Sequence, residues 1–274
     1  MRAKILGYYG VTFVAALDLL QRALEHLPVR GKGRLAEQIL RHAKTETLKC
    51  SPLHGLEIRL RRSQRIERLM WAGAYEPRLV ALLKKILKPS MTVFDVGANI
   101  GYLAAIAAGL TGEGGCVHAF DPNPDCYACL KLNLGAFSQA SAHQLAISDY
   151  VGTLPLYLSE NSEEQGWGSL LKDSATVRQT MDVAVTTIDD FVAKFGIRRV
   201  DLVKIDIEGN EIHALRGAKK LIERDHPAII AELNATCLAR DDAKPSDVIE
   251  LLTNSGYSVR FLDSDNIYAS TLAQ

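Results

Sequence analysis

Apolar positions follow two different patterns along this chain. Residues 92–95, 116–120 and 142–147 are short runs rich in apolar and β-branched residues, which indicates buried strands. Between them lie a stretch of small and apolar residues (residues 100–110) and a longer mixed segment (residues 124–137), both of which indicate helices. Strands that alternate with helices pair in parallel through right-handed crossovers. The pattern therefore predicts an α/β fold with a doubly wound, mostly parallel sheet.

The same rhythm resumes after an insertion. Two extended runs, residues 154–158 and 182–186, flank a polar segment, and strands and helices alternate again beyond it. We expect one domain over residues 61–274. Its predicted helices span residues 77–87, 100–110, 124–137, 211–222 and 246–253, and its later strands span residues 200–205, 228–231, 257–261 and 267–270.

Residues 1–60 form a predicted helical and hairpin extension. A basic start and the apolar residues 5–17 resemble a signal peptide, but Asp18 and the lack of a convincing cleavage site disfavour this. Leucines at helical spacing favour an amphipathic helix that packs on the main domain or a partner, with attachment to a membrane surface as the alternative. The stretch is too short to span a bilayer, so we expect no stable membrane insertion. A second helix (residues 35–42) and a hairpin (residues 47–62) follow.

Charge is balanced overall but not along the chain. The 274 residues contain 32 Lys or Arg and 32 Asp or Glu, yet residues 22–68 hold 12 basic against 5 acidic ones. Basic helix faces are usually solvated, so we expect no nucleic-acid partner. Five cysteines form no even disulfide framework, which favours a reducing, cytoplasmic compartment. Cys126 and Cys129 lack the second pair that a zinc site needs, so structural thiols are expected.

A glycine-bearing turn follows the first strand of the domain. Turns of this kind bind nucleotides, and a pyrophosphate prefers the pattern G-x-G-x-x-G. Here the turn runs from Gly97 to Gly101, Asn99 replaces the middle glycine, and Asp95 precedes it. A carboxylate at this place repels a pyrophosphate but attracts S-adenosylmethionine, which carries an ammonium and a sulfonium. The turn therefore favours S-adenosylmethionine over a dinucleotide, with its glycines letting the ligand approach the backbone.

Two later segments extend this predicted cofactor site. Asp121 follows the second strand, where an acid accepts hydrogen bonds from ribose hydroxyls. The ribose is common to NAD and S-adenosylmethionine, and Asp121 could alternatively cap the next helix. The loop after the third strand reaches the same edge of the sheet, so Ala146, Ser148 and Asp149 are predicted to line an adenine pocket.

Acidic side chains end the fourth and fifth strands. Asp206, Glu208 and Glu232 are predicted to meet at one mouth, where they could take a proton from a hydroxyl or amine, or bind a divalent cation. We expect no metal, because three ligands are few for a tight oxygen site. Lys204 lies on the strand face of Asp206 and could pair with an acid. Alternatively, Asp206 caps the next helix and Glu208 interacts with its dipole.

Six motifs follow one another in unbroken order: YEP (residues 75–77), FDVGANIGY (94–102), FDPNP (120–124), LAISDYVG (145–152), TTIDDF (186–191) and VDLVKIDIEGNE (200–211). Together they resemble the FkbM family of methyltransferases. The resemblance implies a class I methyltransferase fold with strand order 3-2-1-4-5-7-6 and an antiparallel last strand. It also implies S-adenosylmethionine-dependent transfer of a methyl group to oxygen, typically on sugars or natural-product intermediates. Asp121 is shorter than the glutamate that is common in the family.

The predicted partner is a small-molecule or glycan acceptor, and self-association stays open. Glu76 in the first motif and Trp167, between two glycines of the polar segment, are expected on the acceptor side, with Trp167 on a mobile lid. Two other functions compete. An NAD-dependent oxidoreductase is disfavoured by Asp95 and Asn99. A non-catalytic nucleotide-binding scaffold is disfavoured because Asp95, Gly97, Gly101 and Asp121 are all present.

Overall fold

The computed structural model describes residues 17, 19–21, 24, 31–43, 45–53, 56–159, 168–169 and 177–271. It divides the chain into two compact units. The N-terminal unit contains the described residues up to Pro77, and the sheet unit begins at Arg78. This boundary lies later in the chain than residue 60, where the sequence pattern places it. No helix in the described part of the chain has the length and apolar character needed to cross a membrane.

The N-terminal unit contains helices and one hairpin. Described positions between residues 17 and 24 are helical, and Leu17 and Leu24 are buried, as the leucine spacing predicts. The predicted second helix and the hairpin are confirmed, since strands β1 and β2 pair antiparallel. A third, unpredicted helix is fixed to β2 by an ion pair between Arg61 and the buried Glu67 at 2.6 Å. These elements are α1 (Lys32–Arg41), β1 (Thr47–Cys50), β2 (Ile58–Arg61) and α2 (Arg65–Trp71).

The sheet unit is built on a seven-stranded sheet with the order β12-β13-β11-β10-β3-β4-β5. Strands β3, β4, β5, β10 and β11 are parallel, whereas β13 runs antiparallel to β11 and β12. Numbered within this sheet, the order is 3-2-1-4-5-7-6, so the expected fold is confirmed. The strands are β3 (Thr92–Val96), β4 (Cys116–Phe120), β5 (Ala140–His143), β10 (Leu202–Ile205), β11 (Ala228–Glu232), β12 (Ser258–Phe261) and β13 (Asn266–Ser270).

Helices cover the sheet and bury its central strands. All four residues of β10 are buried, as expected for a parallel strand with both faces covered. The rings of Phe120 and Phe191 pack edge to face at 4.7 Å between the sheet and a helix. The helices of this unit are α3 (Pro77–Ile86), α4 (Tyr102–Thr111), α5 (Pro124–Leu134), α6 (Ile188–Phe195), α7 (Glu211–Arg216), α8 (Lys219–Asp225), α9 (Ala235–Leu238) and α10 (Pro245–Asn254).

A second sheet lies in the insertion between β5 and α6. Its order is β6-β9-β7-β8, with a long antiparallel pairing of β7 and β9. The predicted strand over residues 142–147 is wrong as one element, because residues 140–143 pair with β4 whereas residues 146–147 pair with β9. The strands are β6 (Ala146–Ile147), β7 (Gly152–Ser159), β8 (Gly168–Ser169) and β9 (Val177–Thr186).

The helix predicted over residues 211–222 is also two elements. It breaks between α7 and α8 at Gly217 and Ala218. A Cβ atom on Gly217 would lie 2.1 Å from the carbonyl oxygen of Ser148, so the close approach of the loop after β6 requires glycine there. Helix α6 was not predicted. Its start is capped by Thr187, whose hydroxyl accepts from the Asp190 amide.

Candidate active site

The predicted site residues of the sheet unit end four neighbouring parallel strands. Asp95 is on β3, Asp121 follows β4, Asp206 follows β10, and Glu232 ends β11. Because the carboxyl ends of parallel strands share one edge, these side chains gather at the edge where ligands bind in open α/β sheets. We call the ends of β3 and β4 the cofactor half and the ends of β10 and β11 the acceptor half.

Asp95 is a buried carboxylate with unmet hydrogen-bonding capacity. It is 3% exposed, and neither carboxylate oxygen has a hydrogen-bond partner among the described residues. Its neighbouring cation is Lys204, whose Nζ lies 3.4 Å from Oδ1. Burial raises the pKa of Asp95, and the charge of Lys204 opposes this rise. Such an orphaned acceptor fits a cationic ligand that would donate to it.

The turn after β3 is held by main-chain contacts. The amides of Gly97 and Ala98 donate to the carbonyl oxygen of Phe120 at 3.0 and 2.9 Å. Gly97 has φ 79°, and a Cβ atom there would lie 1.8 Å from the carbonyl oxygen of Asp206. Glycine is therefore required at this position by the chain itself. Gly101 precedes helix α4 in the left-handed conformation.

Asp121 joins this turn to the next helix. Its Oδ2 accepts from the amide of Asn99 at 2.8 Å, and its Oδ1 accepts from the amide of Asn123 at 2.9 Å. Asn123 caps helix α5 by accepting from the Asp125 amide, so Asp121 is not the cap. Burial raises the pKa of Asp121 to about 7, although both amides act against the rise. Each carboxylate oxygen keeps a second lone pair for a ribose hydroxyl.

Lys204 confirms the expectation that it pairs with an acid. Its Nζ lies 3.2 Å from Oδ2 of Asp206 and donates to the carbonyl oxygen of Gly97, also at 3.2 Å. The ammonium is buried, whereas the Asp206 side chain is 28% exposed. Asp206 thus has one flank on a buried cation and another open to solvent or ligand.

The structure brings Asp206, Glu208 and Glu232 together as predicted. Each offers one carboxylate oxygen within 4.8 Å of the other two. Burial and the negative charge of Asp206 raise the pKa of Glu232 to about 9. Burial also raises the pKa of Glu208, which accepts a hydrogen bond from the Cys237 thiol at 3.1 Å. The cluster therefore retains a proton at neutral pH, and a divalent cation is the other species that this spacing would suit.

Glu211 shapes the turn that carries Glu208 and was missed as a site residue. Its Oε1 accepts from the amides of Ile207 and Gly209 at 2.9 and 3.2 Å. Glu208 adopts φ 57°, a left-handed conformation that this turn imposes. The residue before helix α7 is Asn210, so neither Asp206 nor Glu208 caps that helix. The sequence shows that Glu211 belongs to the motif over residues 200–211, but it does not show that the Glu211 side chain turns back to the amides of this turn.

The loop after β6 is bound to the helix that follows β10. Ala146 and Ser148 are buried, and Asp149 lies 2.7 Å from Nδ1 of His213. Nε2 of His213 lies 2.6 Å from Asp241. Burial lowers the pKa of His213, but the two carboxylates outweigh burial and raise it. The His213 side chain is 24% exposed and bridges the two acids. The adenine roles of Ala146 and Ser148 stay predictions.

The two predicted acceptor-side residues remain predictions as well. Glu76 belongs to the N-terminal unit, where it has φ 43°. Trp167 lies outside the described residues, and of the predicted lid over residues 161–180 only residues 168–169, in β8, and 177–180, in β9, are described.

Comparison with known proteins identifies the family. Residues 95–259 match the model of the methyltransferase FkbM domain. The 31-O-demethyl-FK506 methyltransferase FkbM of Streptomyces tacrolimicus is 28% identical over 68% of this chain and 79% of that protein. The 2-O-methyltransferase NoeI of Sinorhizobium fredii is 26% identical over 54% of this chain and 64% of that protein. The hexuronic acid methyltransferase AglP of Haloferax volcanii is 24% identical over 67% of this chain and 70% of that protein.

The family match favours a methyltransferase over the oxidoreductase and scaffold alternatives. It covers more than half of the chain, from the buried carboxylate of Asp95 through the acids of the acceptor half. The sheet order agrees with it independently. This chain belongs to the FkbM family of methyltransferases, and its methyl donor is S-adenosylmethionine.

Proposed function

We propose that this methyltransferase methylates a hydroxyl oxygen on a sugar or natural-product intermediate. The observation that carries the proposal is the cluster of Asp206, Glu208 and Glu232 on the same sheet edge as Asp95 and Asp121. Carboxyl groups bind hydroxyls and accept their protons. Relatives named for 31-O and 2-O methylation and for a hexuronic acid support an oxygen acceptor. When bound, S-adenosylmethionine supplies a methyl group on a positively charged sulfur.

The cofactor half has the donors and acceptors for this ligand. Asp95, which is buried and whose carboxylate oxygens accept no hydrogen bond from the described residues, receives the cationic part of the cofactor. Asp121 accepts the ribose hydroxyls while it holds the turn through the Asn99 amide. Gly97, Asn99 and Gly101 form the floor of the site, and Ala146 and Ser148 border the adenine.

The acceptor half orients the hydroxyl and takes its proton. Asp206 is the acid for this role, because its carboxylate is held by the ion pair with Lys204 and is also partly exposed. Glu232 keeps a proton at neutral pH, since the pKa of its carboxyl is about 9, and can donate a hydrogen bond. Glu208 is held by the Cys237 thiol and supports the negative potential of the cluster.

A transfer assay tests this function. The purified protein is incubated with methyl-labelled S-adenosylmethionine and a panel of sugars, polyols, macrolides and amines, and each labelled product is located by NMR. Label on a hydroxyl oxygen is expected. Label found on nitrogen alone contradicts the proposal. The proposal is also contradicted if the protein binds both the cofactor and an acceptor but transfers no label to any hydroxyl of that acceptor.

A chelator arm resolves the role of the acid cluster. We expect activity to persist in excess EDTA, because the cluster can be neutralised by a proton. Loss of activity that Mg²⁺ or Mn²⁺ restores would assign the three carboxylates to a cation.

A further inference from the structure

One buried ammonium contacts both halves of the site. Lys204 on β10 lies opposite Asp95 on β3 in the strand register. Its Nζ is 3.4 Å from Asp95, 3.2 Å from Asp206 and 3.2 Å from the carbonyl oxygen of Gly97. The same charge therefore faces the predicted cofactor carboxylate, the cofactor turn and the predicted acceptor carboxylate.

Several carboxyl groups interact with the positive charge of Lys204. Lys204 acts electrostatically on Asp95, Asp121 and Glu208, in addition to its contact with Asp206. Arg240 also acts on Glu208. Charges in a buried site interact much more strongly than in water, so a new cation near one carboxylate changes the attraction of the ammonium to the others.

We propose that Lys204 is a positioning residue that transmits the charge bound at Asp95 to Asp206. The inference rests on the proposed function, in which Asp95 receives a cation. With that positive charge in place, Asp95 is compensated and Lys204 moves towards Asp206, which fixes the acceptor carboxylate. In the product state the sulfur is neutral and only the ammonium of the ligand stays positive, so Asp95 attracts Lys204 more strongly and Asp206 loses part of its support.

The proposal predicts how charge selectivity responds to mutation. S-adenosylmethionine and S-adenosylhomocysteine differ by one methyl group and one positive charge. In Lys204→Met, which keeps an unbranched side chain without the ammonium, the ratio of the Kd for S-adenosylhomocysteine to the Kd for S-adenosylmethionine should rise roughly fivefold or more. Turnover should fall about tenfold to a hundredfold, because Asp206 loses its partner.

A double-mutant cycle separates transmission through Lys204 from a general field effect. Kd values for both ligands are measured by calorimetry in the wild type, Lys204→Met, Asp206→Asn and the double variant. In the wild-type background, Asp206→Asn should lower the ratio of the two Kd values roughly threefold, because Lys204 then interacts more strongly with Asp95. In the Lys204→Met background it should leave the ratio unchanged. An equal effect of Asp206→Asn in both backgrounds overturns the proposal.

Controls keep the outcome unambiguous. Lys85→Met removes an exposed lysine from helix α3 and should change neither Kd. Equal weakening of both ligands in Lys204→Met would mean a purely structural role and would overturn the inference. If Lys204→Met does not fold, the Kd ratio of the two ligands is compared between Asp206→Asn and Glu208→Gln. Equal changes of this ratio in the two variants overturn the inference. If the wild type binds neither ligand, the proposed function fails instead.

Discussion

The two halves of the site use the same chemical group in different ways. In the cofactor half, the carboxylate of Asp121 accepts from two backbone amides that also define the turn and the start of helix α5. In the acceptor half, Asp206, Glu208 and Glu232 face one another within 4.8 Å. Main-chain donors fix a carboxylate, whereas neighbouring carboxylates make each other's charge depend on protons and ligands.

The causes of the pKa shifts show the same difference. Burial raises the pKa of Asp121 to about 7, and its neighbours largely oppose the shift. Burial raises the pKa of Glu232 to about 9, and Asp206 adds to the shift. This difference supports the proposal that the cofactor half is preorganised for a ligand and that the acceptor half exchanges a proton.

The largest effect is expected where the halves meet. Gly97→Ala would place a Cβ atom 1.8 Å from the carbonyl oxygen of Asp206 and should cost about 3 kcal/mol or more, or prevent folding. Gly196→Ala is the matched control, because Gly196 also has a positive φ of 62°, in the left-handed helical region, but has no atom within 4 Å of the added Cβ. That control should cost about 1 kcal/mol. Urea unfolding measures both, and equal losses would contradict the close contact.

The next effect tests the acceptor half alone. Asp206→Asn should lower turnover by roughly 10²–10⁴ while the Kd for S-adenosylmethionine changes only a few fold, because it removes the predicted proton acceptor. Asp182→Asn, at an exposed position on β9, should leave both unchanged. Steady-state kinetics and calorimetry provide the two measurements. Full turnover in Asp206→Asn would exclude Asp206 from the chemistry.

Substitutions in the cofactor half should weaken the binding of S-adenosylmethionine. Asp95→Ala and Asp121→Ala each remove a charged or ribose hydrogen bond worth about 1.5–3 kcal/mol, so the Kd for S-adenosylmethionine should rise about tenfold to a hundredfold. Asp121→Ala should also lower the melting temperature, because it leaves the amides of Asn99 and Asn123 without their acceptor. Unchanged calorimetric affinity in both variants would refute the assignment of these acids to the cofactor.

The sequence predicts the two halves unequally well. Short apolar runs and the helical segments between them place the strand ends, and parallel pairing then brings Asp95, Asp121, Asp206 and Glu232 to one edge. Contacts across the sheet depend on register and side-chain direction, which no local pattern encodes. The pairing of Lys204 with an acid was foreseen, but its shared contact with Asp95 arises from the β3–β10 register.

Errors in the predicted elements have a similar cause. Residues 140–147 are split because residues 140–143 pair with β4 and residues 146–147 pair with β9. The break at Gly217 lies where the carbonyl oxygen of Ser148 packs against this glycine. The bridge from His213 to Asp149 and Asp241 joins residues far apart in the chain. Hydrophobic periodicity reports one element at a time, so such tertiary contacts are invisible to it.

The smallest expected effect is a pH-dependent stability difference at Glu232. The folded protein keeps the Glu232 proton up to about pH 9, whereas an unfolded chain releases it near the ordinary value of 4.5. Between these values the folded state binds more protons, so this residue makes the protein less stable as pH rises. Glu232→Gln should melt about 2–4 °C above the wild type at pH 8.5, with a smaller gap at pH 5. Glu250→Gln, at an exposed position on helix α10, should show no such trend. A gap that is the same at both pH values would mean that Glu232 does not hold its proton, and the acceptor half would then be no more poised for proton exchange than the cofactor half.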